Sequence, residues 1–159
     1  MSFELKPMKK ILTLLFLISL TISCAQNEQD KIVGIWKIVS VDSGDFYLNT
    51  KTDSISISEK FKEVFTDSVE LDNVINVAKM TYNNNIMEFN ESGIYTQKID
   101  SELKMNGTYE LRPSIGKINV LLKDSVNWEM DYRLVDKQLN LTTTLYGEKS
   151  EFVLEKIEK

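Results

Sequence analysis

Asn127-Trp128-Glu129-Met130-Asp131-Tyr132-Arg133-Leu134-Val135, a turn at Asp136-Lys137, then Gln138-Leu139-Asn140-Leu141-Thr142-Thr143-Thr144-Leu145 is the most telling run in this chain. Trp128, Met130, Tyr132 and Leu134 alternate with Glu129, Asp131 and Arg133. Leu139, Leu141, Thr143 and Leu145 alternate in the same way with Gln138, Asn140, Thr142 and Thr144. Successive side chains of a strand point to opposite faces, so a period of two gives each strand one apolar and one polar side. Two such strands joined by a short polar turn read as an antiparallel hairpin with one face on a core and the other in water.

The theme repeats on both sides of this hairpin. Ile118, Val120 and Leu122 share a face of 117–122, and Phe152 and Leu154 share a face of 148–157. Upstream, 86–89 and 94–99 flank Asn90-Glu91-Ser92-Gly93, in which Gly93 can take the positive φ that a tight turn needs. Asn106-Gly107 reads as the lead into a strand over 108–111, and Arg112-Pro113-Ser114-Ile115-Gly116 as the turn after it. Residues 31–42, with Ile32, Val33, Ile35, Trp36, Ile38, Val39 and Val41, read as the first strand. Residues 42–53 are polar and turn-prone around Phe46-Tyr47-Leu48.

Then the period changes. Phe61, Val64, Ser68, Leu71, Ile75 and Ala78 recur at spacings of three and four, which predicts a helical segment over 58–80. Ser58 suits its N-cap, and Glu59 and Glu63 suit the positive end of the helix dipole. Two short helices broken near Thr66-Asp67-Ser68 fit equally well, and Asn83-Asn84-Asn85 ends the segment. The expected fold is mainly β: eight antiparallel strands in meander order, closed into a barrel without exposed edges, with the helical insertion between strands 1 and 2.

Composition narrows the chemistry. The chain has no histidine, the commonest general base and transition-metal ligand, and a single cysteine. Its glycines are scattered and form no phosphate-cradling loop. Removing residues 1–24, which hold Lys6, Lys9, Lys10 and Glu4, moves the net charge from −5 to −7. That balance repels a phosphate backbone, so no nucleic acid is expected as partner. No metal, cofactor or catalysis is expected either; a carboxylate pair is the one catalytic device the composition leaves open.

The amino terminus carries its own signal. Lys9-Lys10 precede an apolar run over 11–22, which ends at Ser23-Cys24-Ala25-Gln26. A positive start, a short apolar stretch and a small residue before the junction describe a signal peptide over 1–23. The run falls short of the about 20 apolar residues a spanning helix needs. Met8-Lys9-Lys10 is a more natural start than Met1. The sole cysteine at this junction resembles the lipobox of bacterial lipoproteins; Ile22 and Ser23 suit it, while Thr21 stands where Leu, Val or Ile is usual. The resemblance implies that Cys24 is acylated and becomes the new N-terminus, followed by a tether over 24–31 and one domain over 32–159. An ordinary signal peptide with a stray cysteine, or an uncut anchor, is the alternative. The implied location is the cell envelope, lipid-anchored at the outer membrane and facing the periplasm.

Within the domain, Gly34-Ile35-Trp36 on the first strand resembles the Gly-x-Trp signature that opens lipocalins. The hairpin Phe89-Asn90-Glu91-Ser92-Gly93-Ile94-Tyr95, the Gly107-Thr108-Tyr109 strand and the closing Phe152-Val153-Leu154 are similar to the lipocalin-like domains of Bacteroidetes lipoproteins. Lipocalins set a late arginine against that tryptophan; the late candidate here is Arg133, opposite the apolar face of its strand. The resemblance implies a barrel whose inward side chains either fill it or surround one small ligand. Those side chains are Trp36, Phe89, Tyr95, Tyr109, Trp128, Met130, Tyr132, Leu141 and Phe152. The helix either lids the barrel mouth or shields an edge from outside. The functional expectation is an envelope lipoprotein that binds a small apolar molecule. A protein-binding module, such as an envelope accessory or an immunity-type inhibitor of a periplasmic toxin, is the second reading, its acidic charge favouring a basic partner.

Overall fold

The alternating segments pair in the order in which they are written. A computed structural model of the chain describes residues 28–65, 67–145 and 147–158. Residues 28–32 are helical and fall in the first of two units, which runs to Ile32; the second begins at Val33 and carries every described strand. Its strands are β1 (Gly34–Asp42), β2 (Phe46–Asn49), β3 (Ser54–Ile57), β4 (Asn85–Phe89), β5 (Ile94–Ile99), β6 (Glu102–Arg112), β7 (Lys117–Leu122), β8 (Asn127–Val135), β9 (Gln138–Leu145) and β10 (Glu148–Lys156). Its helices are α1 (Glu59–Lys62) and α2 (Ser68–Asn83).

From β4 to β10 each strand pairs antiparallel with the next. β10 then pairs with β1, and β1 with β4, so eight strands close into a barrel. Strand β1 changes partner along its length: it meets β4 over 34–37 and β2 over 40–42. A bulge between Ile38 and Ser40 shifts its phase, which is why Trp36 and Ile38 are buried ahead of it and Val39 and Val41 after it.

Two expectations are corrected. The helices do not follow the first strand; the β2–β3 hairpin intervenes, and α1 and α2 lie between β3 and β4. The polar turn around Lys51-Thr52-Asp53 masked the alternation on either side of it. Leu48 is fully buried, and Ile55 and Ile57 are half-buried, against polar neighbours that face solvent. Second, Asn106-Gly107 does not lead into a strand over 108–111 but lies inside β6, which starts at Glu102. A Cβ on Gly107 would stand 2.1 Å from the Leu121 carbonyl oxygen, so glycine there serves close approach of two strands.

The helical break near residue 67 is as the pattern allowed. The Ser58 hydroxyl accepts from the Phe61 amide, and the Asp67 carboxylate accepts from the Glu70 amide at 2.8 Å. Asp53, in the β2–β3 turn, holds α2 from outside: it accepts from Lys79 Nζ at 2.9 Å and Asn83 Nδ2 at 2.9 Å. These bonds, that from Asn83 first, draw the Asp53 carboxyl below its usual range.

Candidate functional site

The barrel has a filled end and an open end, and the motifs belong to the first. Phe89 packs edge-on to Tyr109 at 5.1 Å and tilted against Tyr95 at 5.3 Å between ring centres. The Tyr109 hydroxyl donates to the Asn90 carbonyl at 2.8 Å, clamping the β4–β5 turn, and Asn90 Oδ1 accepts from the Ile94 amide. Gly93 takes φ 76° in that turn. The Phe-Asn-x-x-Gly-x-Tyr hairpin and the Gly-x-Tyr strand are therefore one device, a turn fastened by two aromatic strands. Trp36, Phe89, Tyr95, Met130 and Leu141 are all almost fully buried and fill this end.

The other end holds a cavity of about 910 Å³. Its wall includes Met87, Ile99, Met105, Leu122, Trp128 and Phe152, with Thr81 and Tyr82 from the last turn of α2. Tyr82 sits between Phe46 at 6.2 Å and Phe152 at 6.3 Å, tilted against both rings, and burial pushes its phenol pKa up. The C-terminal turn of α2 thus borders the mouth, whereas Val69, Val77 and Met80 on the helix stay exposed. Of the nine side chains expected to surround a ligand, Trp128 and Phe152 line this space. Trp36, Phe89, Tyr95, Tyr109, Met130, Tyr132 and Leu141 do not, and all but half-buried Tyr132 are buried.

Polar residues complete the site. Asn85, Gln97 and Thr143 line the cavity yet are 1%, 6% and 3% exposed. Tyr95 Oη donates to Gln97 Oε1 at 3.0 Å, Gln97 Nε2 donates to Asn85 Oδ1 at 3.0 Å, and Asn85 Nδ2 donates to the Thr81 carbonyl at 3.4 Å. Burial drives the Tyr95 phenol pKa far up, so it remains a neutral donor in this chain. A parity signal for these residues was present: Asn85 alternates with Met87 and Phe89, and Gln97 with Tyr95. Amide side chains at such positions read as solvent-facing by composition alone.

The wall is also parted. β8 and β9 pair only from Asp131 with Thr142 to Val135 with Gln138, although β8 begins at Asn127 and β9 continues to Leu145. Thr143 spans the divergence, its hydroxyl accepting from Trp128 Nε1 at 2.7 Å and donating to the Glu129 carbonyl at 3.3 Å. The cavity reaches this split and touches outward-facing Glu129, Asp131, Thr142 and Thr144 as well as inward-facing Trp128 and Thr143. Lys117, on its rim, bonds to Glu129 and lies 3.5 Å from Asp131; those carboxylates, Glu129 first, raise its pKa.

Arg133 is exposed. The cation set over Trp36 is Lys156 of β10, with Nζ 5.3 Å from the centre of the indole. Cys24 and the signal peptide over 1–23 lie outside the described residues. Among those described, no group of three or more His, Cys, Asp or Glu side chains is placed to hold a metal. None of the described helices is long and apolar enough to cross a membrane.

No protein-family model matches the chain, and no curated protein matches it. Among solved structures it is similar to a DUF4847 family protein from Bacteroides vulgatus, at 14% identity, with a TM-score of 0.51, over 83% of this chain and 98% of that one. The likeness is one of fold: a mainly β chain closed as an eight-stranded antiparallel meander barrel.

Proposed function

We propose that this chain is a lipid-anchored protein of the cell envelope whose lipocalin-like barrel binds a small apolar ligand without catalysing a reaction. The supporting observation is the cavity of about 910 Å³ at one end of a barrel whose other end is packed with the buried Trp36, Phe89 and Tyr95. Its size lies within the range of small-molecule sites; its inner part joins apolar side chains to the buried Asn85, Gln97 and Thr143, and charged side chains, Lys117, Asp124, Glu129, Asp131 and Lys149, border it. The anchor rests on the sequence. Cys24 closes the apolar run over 11–22, and the acylated cysteine would moor the barrel at the outer membrane, facing the periplasm.

Native mass spectrometry of the full-length chain, released in mild detergent, tests the binding. A stoichiometric guest of constant mass is expected. A persistently empty protein, together with no uptake of pyrene as an apolar probe, would overturn the reading. Intact-mass analysis of Cys24, with diacylglyceryl expected on its thiol, tests the anchor separately.

A further inference from the structure

The buried polar groups of the cavity are uncharged, and the charged residues that line it, Lys117, Asp124, Glu129, Asp131 and Lys149, are not buried. Asn85 and Gln97 offer amides and Thr143 a hydroxyl, each nine-tenths or more buried. Their mutual bonds leave capacity over. Each amide NH₂ carries two hydrogens, of which one is used in Gln97 by Asn85 Oδ1 and one in Asn85 by the Thr81 carbonyl. Oxygen lone pairs likewise remain on Gln97, Asn85 and Thr143. The site can therefore both donate to and accept from a guest.

Charge is kept to the rim. Lys117 pairs with Glu129 and Asp131, and Lys149 pairs with Glu151 at 2.5 Å. A carboxylate or ammonium drawn inside would lose its water and meet amides rather than a counter-ion, which is costly. A hydroxyl or primary amide would exchange water for Gln97, Asn85 and Thr143 at little loss. The wall of Met87, Met105, Ile99 and Leu122 suits a flexible hydrocarbon chain, because methionine adapts to irregular shapes.

We propose that the cavity takes an uncharged single-chain amphiphile, a long hydrocarbon ending in a hydroxyl or primary amide, with its polar end on Gln97, Asn85 and Thr143. This rests on the binding reading above and narrows it to one ligand class. A fatty acid of the same length is admitted in its protonated form.

Quenching of tryptophan fluorescence in the full-length chain by 1-monooleoylglycerol, oleamide, oleate and pyrene tests the assignment. Near neutral pH the two uncharged amphiphiles are expected to bind about tenfold or more tighter than oleate, and oleate to gain as pH falls toward the carboxylic pKa of about 5. Gln97→Leu should bring the neutral probes and oleate to within about threefold of each other. If that variant does not fold, Thr143→Val serves, with the same loss of preference expected. Oleate binding as tightly as oleamide near neutral pH, or both variants keeping the preference, overturns the assignment while pyrene uptake leaves the carrier reading standing. Failure of all four probes overturns both.

Discussion

Lys156 Nζ stands over the Trp36 indole, 5.3 Å from its centre, and Gly34 is what lets it arrive. A Cβ on Gly34 would fall 2.3 Å from Lys156 Cε, and Gly34 itself takes φ 146°, a conformation side chains resist. The Gly-x-Trp spacing then has a physical reason. The tryptophan seals the filled end, the glycine two residues earlier clears a path, and a cation from the closing strand covers the ring.

Lys156→Ala should cost about 0.5–1 kcal/mol, the range for a cation over an aromatic face near solvent. Lys156→Arg should keep most of that, since guanidinium also stacks on indole. Urea unfolding of both variants measures the difference; equal losses would show that the charge over Trp36 contributes nothing.

Gly107→Ala is expected to be the more damaging glycine substitution. The new methyl would meet backbone, Leu121 O at 2.1 Å and Leu121 C at 2.8 Å, rather than a mobile side-chain end. Overpacking of this kind costs about 1–3 kcal/mol, with the upper part of the range expected because β6 and β7 must move apart. Thermal unfolding followed by circular dichroism gives the number.

Thr143→Val preserves side-chain volume but leaves the Trp128 indole N–H, bonded at 2.7 Å in the native chain, without its acceptor. A loss of about 0.5–1.5 kcal/mol is expected for the hydrogen bond of this half-buried donor. Because Thr143 also holds Glu129 across the split, the indole proton of Trp128 and the β9 amides near it should exchange faster with solvent. Proton NMR in deuterated buffer reads both.

Acid should loosen the tie between α2 and the β2–β3 turn. Asp53 has its pKa lowered by its bonds to Asn83 and Lys79, so its contribution is present above the ordinary aspartate range and lost as pH falls through the lower, folded value. Urea midpoints measured from about pH 5 down to about pH 2 should fall more steeply in the native chain than in Asp53→Asn. Parallel curves would remove Asp53 from the acid response.

Much of the wall was readable along the chain because burial on one face imposes a period of two. Trp128, Met130 and Tyr132 alternate as expected, as do Leu139, Leu141 and Thr143, and the turns at 90–93 and 136–137 fall where polar residues interrupt them. The β2–β3 hairpin escaped because four-residue strands carry too few alternations to outweigh a polar turn. Gly107 misled because Asn-Gly is a turn signal locally, whereas its cause here is a strand lying across it.

The site divides along the same line. Sequence alone determined the meander order of the eight barrel strands, the inward parity of Trp36, Phe89, Tyr95 and Trp128, and the absence of histidine. It could not show which inward side chains would touch one another and which would border empty space. That depends on barrel closure, on the parting of β8 from β9 and on where α2 comes to rest. Each brings together residues far apart in the chain, as Tyr82 with Phe152 and Thr143 with Trp128. Periodicity reports the direction of a side chain; void volume is a property of all the walls at once, and only the assembled barrel sets it.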